Sequence, residues 1–238
     1  MKYLVSIFVS FLILLPAGCK MMDSSGVKSL KRAIKKEELS VDTIIKGLKE
    51  ALRIGSKKAV NKLSVPGGYG KDPLLRIPIP KDLENLADTL KKIGMGPQVD
   101  AFEDKMNEAA EHAATQAVPI FIDAIKQMTF KDARKILKGN NTAATDYFKK
   151  KTTDPLKNLY MPIVKEQMNE VGVVKRYNKL VKKYNSIPLT KKIDFSLEVY
   201  ITDKALKGLF KVLEDVEKDI RTDPAARTTK LLKRVFAK

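Results

Sequence analysis

Few side chains of this chain could take part in catalysis, because it contains one histidine, His112, and one cysteine, Cys19. A single histidine excludes metal sites built from several histidines, and it leaves most serine-type triads without their general base. The glycine-rich segment 67–72 lacks the spacing, and the Ser or Thr, of a phosphate-binding P-loop. We therefore predict no catalytic residue, no resident metal and no cofactor.

Carboxylates offer the remaining route to chemistry, and four of them recur at helical spacing: Asp100, Asp104, Glu108 and Glu111. Residues three and four apart on a helix share a face, so these like charges repel each other unless a cation lies opposite. We expect lysines of the same chain to supply that cation, and a bound hard cation is the alternative. Two such carboxyl groups converging in a cleft, with separated pKa values, would suit a hydrolase.

The strongest functional signal is at the N-terminus, where Lys2 precedes an uncharged stretch, residues 3–15, and small residues lead to Cys19. This order is typical of a secretory signal peptide, and a cysteine at its end is typical of a bacterial lipobox. We predict a signal peptide over 1–18, a lipidated Cys19 and a polar tether over 19–39. Pro16 at a lipobox position leaves cleavage elsewhere as the alternative, and the apolar stretch is too short for a membrane span.

Lipidation of Cys19 predicts a protein of the cell envelope that is lipid-anchored and faces the periplasm. Lys20, rather than an aspartate, follows the cysteine, and this favours the outer membrane. Two or more acyl chains give stable anchoring, because each buried CH₂ contributes about 0.8 kcal/mol.

Charge is the second signal, since the chain carries 46 basic and 28 acidic residues, a net charge of +18. The excess is concentrated between residues 129 and 192, which hold sixteen basic and five acidic side chains, whereas residues 81–128 hold five and nine. A field of this size favours polyanions. The predicted export argues against nucleic acid and for anionic lipid or an anionic envelope polymer as partner. The alternatives are lysine-rich helices that are merely solvated, or a nucleic-acid binder whose N-terminus is misread.

The elements that must position these residues are helical by their apolar spacing. Helices are predicted over 41–63 with Ser40 as N-cap, 81–93, 97–128 with a kink at Pro119, 129–139 with Thr129 as cap, 142–151, 155–171 with a bend at Pro162, 173–184, and from Thr202 onward. Residues 193–201 fit either a strand or a helical turn, and we assign a turn of helix. Prolines and glycines between 64 and 80 predict an ordered loop. The prediction is a single all-α domain over 40–238, with kinked long helices and one ordered Pro/Gly-rich loop.

Several short motifs in one order resemble a known family: RIPIP at 76–80, MNEAA at 106–110, FIDAI at 121–125, ATDYF at 144–148, TDKAL at 202–206 and RTDPAAR at 221–227. Together they resemble the bacterial envelope family catalogued as domain of unknown function 4197, over roughly residues 41–237. The resemblance implies a helical protein with a signal peptide or lipobox, and it implies no established activity.

Five polar residues that carry this resemblance, four of them on these motifs and Asp100 in the pair Val99–Asp100, are candidates for a polar or ligand-binding site: Arg76, Asp100, Asp123, Arg221 and Arg227. Such a site would combine Arg76, Asp100 and Arg227. The alternative is that each residue serves its own helix, as Arg221 would near a helix C-terminus. The sequence thus predicts a membrane-tethered, non-enzymatic envelope lipoprotein that binds a lipid, an anionic envelope polymer or a protein partner. The alternative function is a carboxylate-dependent hydrolase in the periplasm.

Overall fold

The computed structural model describes residues 40–169 and 195–236, and the regular structure within these ranges is helical throughout. The α-helices, in chain order, are α1 (Val41–Leu63), α2 (Lys81–Lys92), α3 (Gly96–Ala114), α4 (Ala117–Lys126), α5 (Phe130–Lys138), α6 (Ala143–Asn169), α7 (Leu197–Thr222) and α8 (Lys230–Val235), with a 3₁₀ turn at Pro224–Ala226. The prediction of a single all-α domain is confirmed. The signal peptide over 1–18, Cys19, the tether over 19–39 and the helix over 173–184 lie outside the described residues.

Side-chain caps set the beginnings of several helices. The Ser40 hydroxyl accepts a hydrogen bond from the Thr43 N–H at 3.2 Å at the start of α1. Thr129 and Asp132 form a capping box at the start of α5, in which each side chain accepts a backbone N–H of the other residue. Such caps satisfy N–H groups that the first helical turn leaves without partners. Both predicted caps, Ser40 and Thr129, are confirmed.

The predicted long helix over 97–128 is wrong, because the chain forms two helices there, α3 and α4. Pro119 is the third residue of α4. The first turn of a helix does not use its N–H groups, so proline costs little at this position and much in a helix interior. The chain accommodates Pro119 by beginning a new helix rather than by kinking an old one.

The opposite error concerns α6, which runs without interruption through Pro155 and Pro162. The prediction of separate helices over 142–151 and 155–171 is therefore wrong. Both prolines are exposed, while α6 buries Thr152, Leu156, Tyr160, Val164 and Met168, four residues apart, on its core side. This buried row stabilises one helix, and the carbonyl groups that lose their donors lie towards solvent.

Helix α7 begins at Leu197, five residues before the predicted start, with the Ser196 side chain as its cap. The helical assignment of 193–201 is thus confirmed from Leu197 onward. Helix α7 contacts α1, α3 and α6 and buries twelve of its residues, so it lies at the centre of the described core. Within the described ranges, no helix is long and apolar enough to cross a bilayer.

Candidate functional site

The Pro/Gly-rich loop, residues 64–80, is held against α3 by the carboxylate of Glu111. That carboxylate accepts hydrogen bonds from the backbone N–H groups of Gly67 at 3.1 Å, Tyr69 at 3.0 Å and Gly70 at 3.3 Å. Glu111 is only 6% exposed. A buried carboxylate needs donors to replace water, and a loop without regular structure needs acceptors for its N–H groups. Glu111 and the loop meet both requirements at once.

Two further contacts complete the attachment of the loop. The Asn107 side chain accepts from the Ile77 N–H at 2.9 Å and donates to the Ile77 carbonyl oxygen at 3.1 Å, as a neighbouring strand would. The Tyr69 ring is fully buried, and its hydroxyl donates to the Ala205 carbonyl oxygen on α7 at 2.8 Å. The loop therefore belongs to the core, in agreement with the prediction that it is ordered.

Arg76 lies at the edge of this junction and faces the acidic side of α3. Its Nε donates to Glu103 at 2.6 Å, and its guanidinium is 3.8 Å from Asp104. The hydrogen bond to Glu103 raises the pKa of Arg76, and the charges of Asp104 and Asp100 add to this effect. The ion pair of Asp100 itself is with Lys91 on α2, at 3.3 Å.

The acidic side of α3 thus finds its cations close at hand rather than in the strongly basic segment that follows. Arg76 comes from the loop, Lys91 from α2, and Lys105, which pairs with Glu108, from α3 itself. All of these groups are part of the surface, so the surrounding water screens the pairs and each contributes little to stability. Asp123, another candidate, is also exposed and pairs with Lys126 one helical turn later.

The other two candidates, Arg221 and Arg227, lie at the C-terminal end of α7. Arg221 pairs with Glu217 at 2.8 Å and donates to the Ile136 carbonyl oxygen, near the end of α5, at 2.9 Å. Arg227 is only 8% exposed and donates to the carbonyl oxygens of Ile220 and Arg221. Both arginines satisfy carbonyl groups at helix ends, where a cation also complements the helix dipole.

Glu217 is the residue that connects these ends. Its carboxylate accepts from the N–H groups of Ala144 and Thr145, each at 2.9 Å, and so caps the beginning of α6 from α7. Together with Arg221 it joins the end of α5, the start of α6 and the last turns of α7. No described contact connects Arg227 with Arg76 or Asp100, so a shared site of these three stays a prediction without support from hydrogen bonds.

Basic side chains on α5 form a different kind of surface. Lys131, Arg134, Lys135 and Lys138 follow the i, i+3, i+4, i+7 spacing of one helix face, and all four are exposed. We call these four residues the α5 basic face. The opposite side of α5 buries Ala133 and Ile136 in the core. Among the residues that the structure describes, none of the three lysines has an ion-pair partner.

A groove of about 560 Å³ separates this helix from the beginning of α6. We call it the α5–α6 groove; its lining comprises Asp132, Lys135, Ile136, Gly139, Asn140, Ala143, Asp146, Tyr147, Lys150 and Lys151. The neighbouring Lys149 points elsewhere and pairs with Glu214 on α7 at 2.7 Å. Hydrogen bonds from Thr129 lower the pKa of Asp132, and the charges of Lys151 and Lys150 lower it further.

The comparison with protein families matches the part of the chain that forms this domain. A family model described as "Protein of unknown function (DUF4197)" matches residues 38–237. The chain belongs to this family. The match confirms the resemblance seen in the short motifs and covers the whole described part of the chain. No match to the chain was found among curated proteins or among solved structures.

The sequence pattern missed the roles of Glu111 and Glu217, although each left a signal. Glu111 lies between Ala110 and Ala114 on the side of α3 that small buried residues occupy, which is an unusual place for a solvated acid. Glu217 precedes Arg221 by four residues, the spacing of a helical ion pair. Neither signal identifies the backbone groups that these carboxylates bind, because those groups are distant in sequence.

Proposed function

We propose that this protein is a non-enzymatic binding module of the cell envelope, anchored by a lipid on Cys19, whose domain binds anionic lipid surfaces through the α5 basic face. The observation that carries the proposal is four cations on one side of a short helix, with no acidic partner for its lysines in the described ranges. Charges that are not paired within the molecule remain available for an external polyanion.

An exposed aromatic side chain favours a lipid surface over a soluble polymer. Phe130, the first residue of α5, is 48% exposed, and the Arg134 guanidinium carbon lies 5.2 Å from its ring centroid. Aromatic and basic residues together on one helix are typical of elements that lie in a membrane interface. A soluble polyanion would neutralise the cations but would leave Phe130 in water.

Among the residues that the structure describes, the apolar cavity of the core is too small for an acyl chain. The apolar cavity between α1, α6 and α7, lined by residues such as Leu48, Phe148 and Val216, has a volume of about 30 Å³. That is the space of one water molecule. We therefore place the lipid contact on the surface of the domain rather than within its core.

A basic face and a lipid anchor would act together. Two or more acyl chains on Cys19 would give stable attachment by themselves, and the basic face would bring the surface of the domain to the anionic lipid. Anchoring at Cys19, facing the periplasm and in the outer membrane, would hold the α5 basic face next to phospholipid or other phosphorylated lipid. Mass spectrometry of the mature N-terminus tests the anchor; an unmodified Cys19, or cleavage elsewhere, would contradict it.

The electrostatic part is tested with the mature chain carrying Cys19→Ser, so that no lipid anchor contributes. We expect binding to phosphatidylcholine vesicles that contain phosphatidylglycerol, no binding to pure phosphatidylcholine vesicles, and a steep loss of binding as salt is added. Each lysine near an anionic surface contributes about 1 kcal/mol, so Lys131→Glu with Lys138→Glu should weaken binding by about tenfold or more.

The matched control is Lys57→Glu with Lys58→Glu on α1, which removes the same charge from another exposed stretch. An equal loss in both double variants would show that only net charge matters. Equal binding to neutral and anionic vesicles at low salt would contradict the proposed function.

A further inference from the structure

Building on the proposed function, we infer that the α5–α6 groove is a binding site for the phosphate group of a lipid headgroup. The α5 basic face would attract the anionic lipid surface electrostatically, and the groove would bind the phosphate of an individual headgroup. Three features carry this inference: the donors that line the groove, the excess of its lysines over its acidic residues, and the close contact that fixes its walls relative to each other.

Four donors line the groove without a described acceptor. Lys135 comes from α5, and Lys150 and Lys151 come from α6, so ammonium groups stand on both walls. The side-chain oxygen of Asn140 accepts from the N–H and the hydroxyl of Thr142, each at 3.1 Å, which leaves its NH₂ group as a donor. Hydrogen bonds from charged donors to phosphate are short and strong.

The two acidic residues of the groove do not cancel the charge of its lysines. One carboxylate oxygen of Asp132 accepts both the N–H and the hydroxyl of Thr129 at the start of α5, and the carboxylate also feels the charges of Lys150 and Lys151. Asp146 lies in the first turn of α6, and its carboxylate is 3.3 Å from the Thr142 hydroxyl, whose one proton Asn140 accepts at 3.1 Å. Both acids lie near helix N-termini, where the positive end of the dipole offsets their charge. Three lysines against two acids leave the groove with a net positive charge for a ligand.

The walls of the groove are fixed relative to each other. Gly139 ends α5, and a Cβ at this position would collide with the Cβ of Ala143 at the start of α6. Below the lysines, the Tyr147 hydroxyl donates to the Ala124 carbonyl oxygen at 2.8 Å and ties α6 to α4. A preformed site loses less entropy when it binds a ligand than a flexible one.

The shape and the surroundings favour a lipid as the source of the phosphate. A volume of about 560 Å³ accommodates a headgroup rather than a bare ion. Phe130 and the α5 basic face belong to the same helix as Lys135, so a headgroup in the groove would bring the exposed ring to the bilayer interface. Free phosphate would satisfy the donors but would not bury Phe130.

The test compares vesicles of equal zeta potential, using the full mature chain with Cys19→Ser. One set contains phosphatidylglycerol, and the other contains a fatty-acid carboxylate as its anionic component. We expect a preference of about tenfold for the phosphate lipid, the size of one lost charged hydrogen bond. Titration with inorganic phosphate distinguishes the sources: millimolar or weaker binding is expected for the free ion.

Two double variants separate the groove from the general attraction. Lys150→Gln with Lys151→Gln should abolish the headgroup preference while the protein still binds both vesicle types. Lys131→Gln with Lys138→Gln, which removes the same charge outside the groove, should weaken both types equally and keep the preference. Phe130→Ala should weaken vesicle binding and leave the titration with phosphate unchanged.

Three outcomes would overturn the groove as a headgroup site. They are equal binding of the two vesicle types by the parent protein, an equal loss of both in the groove variant, or tight binding of inorganic phosphate with no lipid preference. Failure to bind any anionic vesicle would instead refute the proposed function itself. Far-ultraviolet circular dichroism of each variant checks that helix content is retained.

Discussion

The loop–α3 junction and the α5–α6 region use charge in opposite ways. In the first, Glu111 is buried and accepts three backbone N–H groups, and Arg76 faces acidic partners on α3. In the second, Lys135, Lys150 and Lys151 line an open groove with no ion pair to any described residue. Polar groups that are satisfied internally hold the fold together, whereas unsatisfied surface charges are the ones that an external ligand can use.

The largest effect should come from removing the acceptor at the loop. Glu111→Ala leaves three N–H groups without their acceptor; that of Tyr69 is buried, and those of Gly67 and Gly70 are part-buried. A buried, unsatisfied group costs about 1–3 kcal/mol, so we expect the free energy of unfolding to fall by about 2–3 kcal/mol, measured by denaturant titration. Glu108→Ala on the same helix removes an exposed acid and should change it by less than about 0.5 kcal/mol. Similar losses in both variants would contradict a structural role for Glu111.

The next effect concerns the packing of the Tyr69 ring against Gly208 on α7. A Cβ at Gly208 on α7 would come within 2.7 Å of Cε1 of the Tyr69 ring. Gly208→Ala should therefore lower the free energy of unfolding by about 1–2 kcal/mol, since the cost of overpacking exceeds the gain in helix propensity.

Gly55→Ala provides the control for Gly208. There a Cβ would lie at ordinary contact distance, 3.4 Å, from Val216, so the propensity gain should make this variant neutral or more stable. Thermal unfolding of both variants measures the difference. If both variants were stabilised, Tyr69 would not be tightly packed against α7.

Asp132 gives a smaller effect that depends on pH. The Thr129 hydrogen bonds are the main cause of its lowered pKa in the folded protein. The contribution of the Asp132 carboxylate to stability is therefore fully present above the unfolded pKa of about 3.9, and it is lost as the pH falls through the lower folded pKa. Asp132→Asn should cost about 1 kcal/mol at neutral pH, as other cap losses do, and nothing once the parent Asp132 is protonated. Unfolding measured across the acid range tests this difference.

Asp219→Asn is the control for Asp132, because the Asp219 side chain is exposed and makes no hydrogen bond to a described residue. This variant should change the free energy of unfolding at neutral pH by less than about 0.5 kcal/mol. A loss for Asp132→Asn that stayed constant with pH would show that the capping box does not depend on the carboxylate charge.

The smallest effect on stability should come from the groove. Lys150→Gln with Lys151→Gln removes two exposed cations, and exposed substitutions of this kind change the free energy of unfolding by less than about 0.5 kcal/mol. Denaturant titration of the double variant measures it. A large loss would mean that these lysines stabilise the fold, and the contrast between the two regions would then disappear.

The beginnings and ends of helices were predictable where a local signal is complete. Ser40 and Thr129 each cap a helix within three residues, and α1 begins and ends where the apolar spacing does. Prolines were predicted less well, because their effect depends on the helix that surrounds them. Pro119 lies in the first turn of a new helix, whereas Pro155 lies within a helix whose buried row of side chains keeps it continuous.

The site residues show the same limit. Arg221 near a helix end was foreseeable from its position, but its partner Ile136 lies 85 residues earlier. Glu111 and the N–H of Tyr69 are 42 residues apart. Pairs of this kind form only when helices pack. The spacing of residues along the chain therefore does not predict which distant backbone group a side chain will bind. The sequence shows three consecutive lysines at 149–151. It does not show that Lys149 pairs with Glu214 on α7 while Lys150 and Lys151 line the groove.

By itself, the sequence determined the family, the all-α class, the main caps and the overall positive charge, because propensity, capping and composition act within a few residues or over the whole chain. Only the tertiary structure decided which charges are used internally. The packing of α3, α6 and α7 buries Glu111 and Glu217 against backbone donors, and it leaves the cations of α5 and the groove in solvent. The physical reason is desolvation: a charge must find a partner only where folding removes it from water.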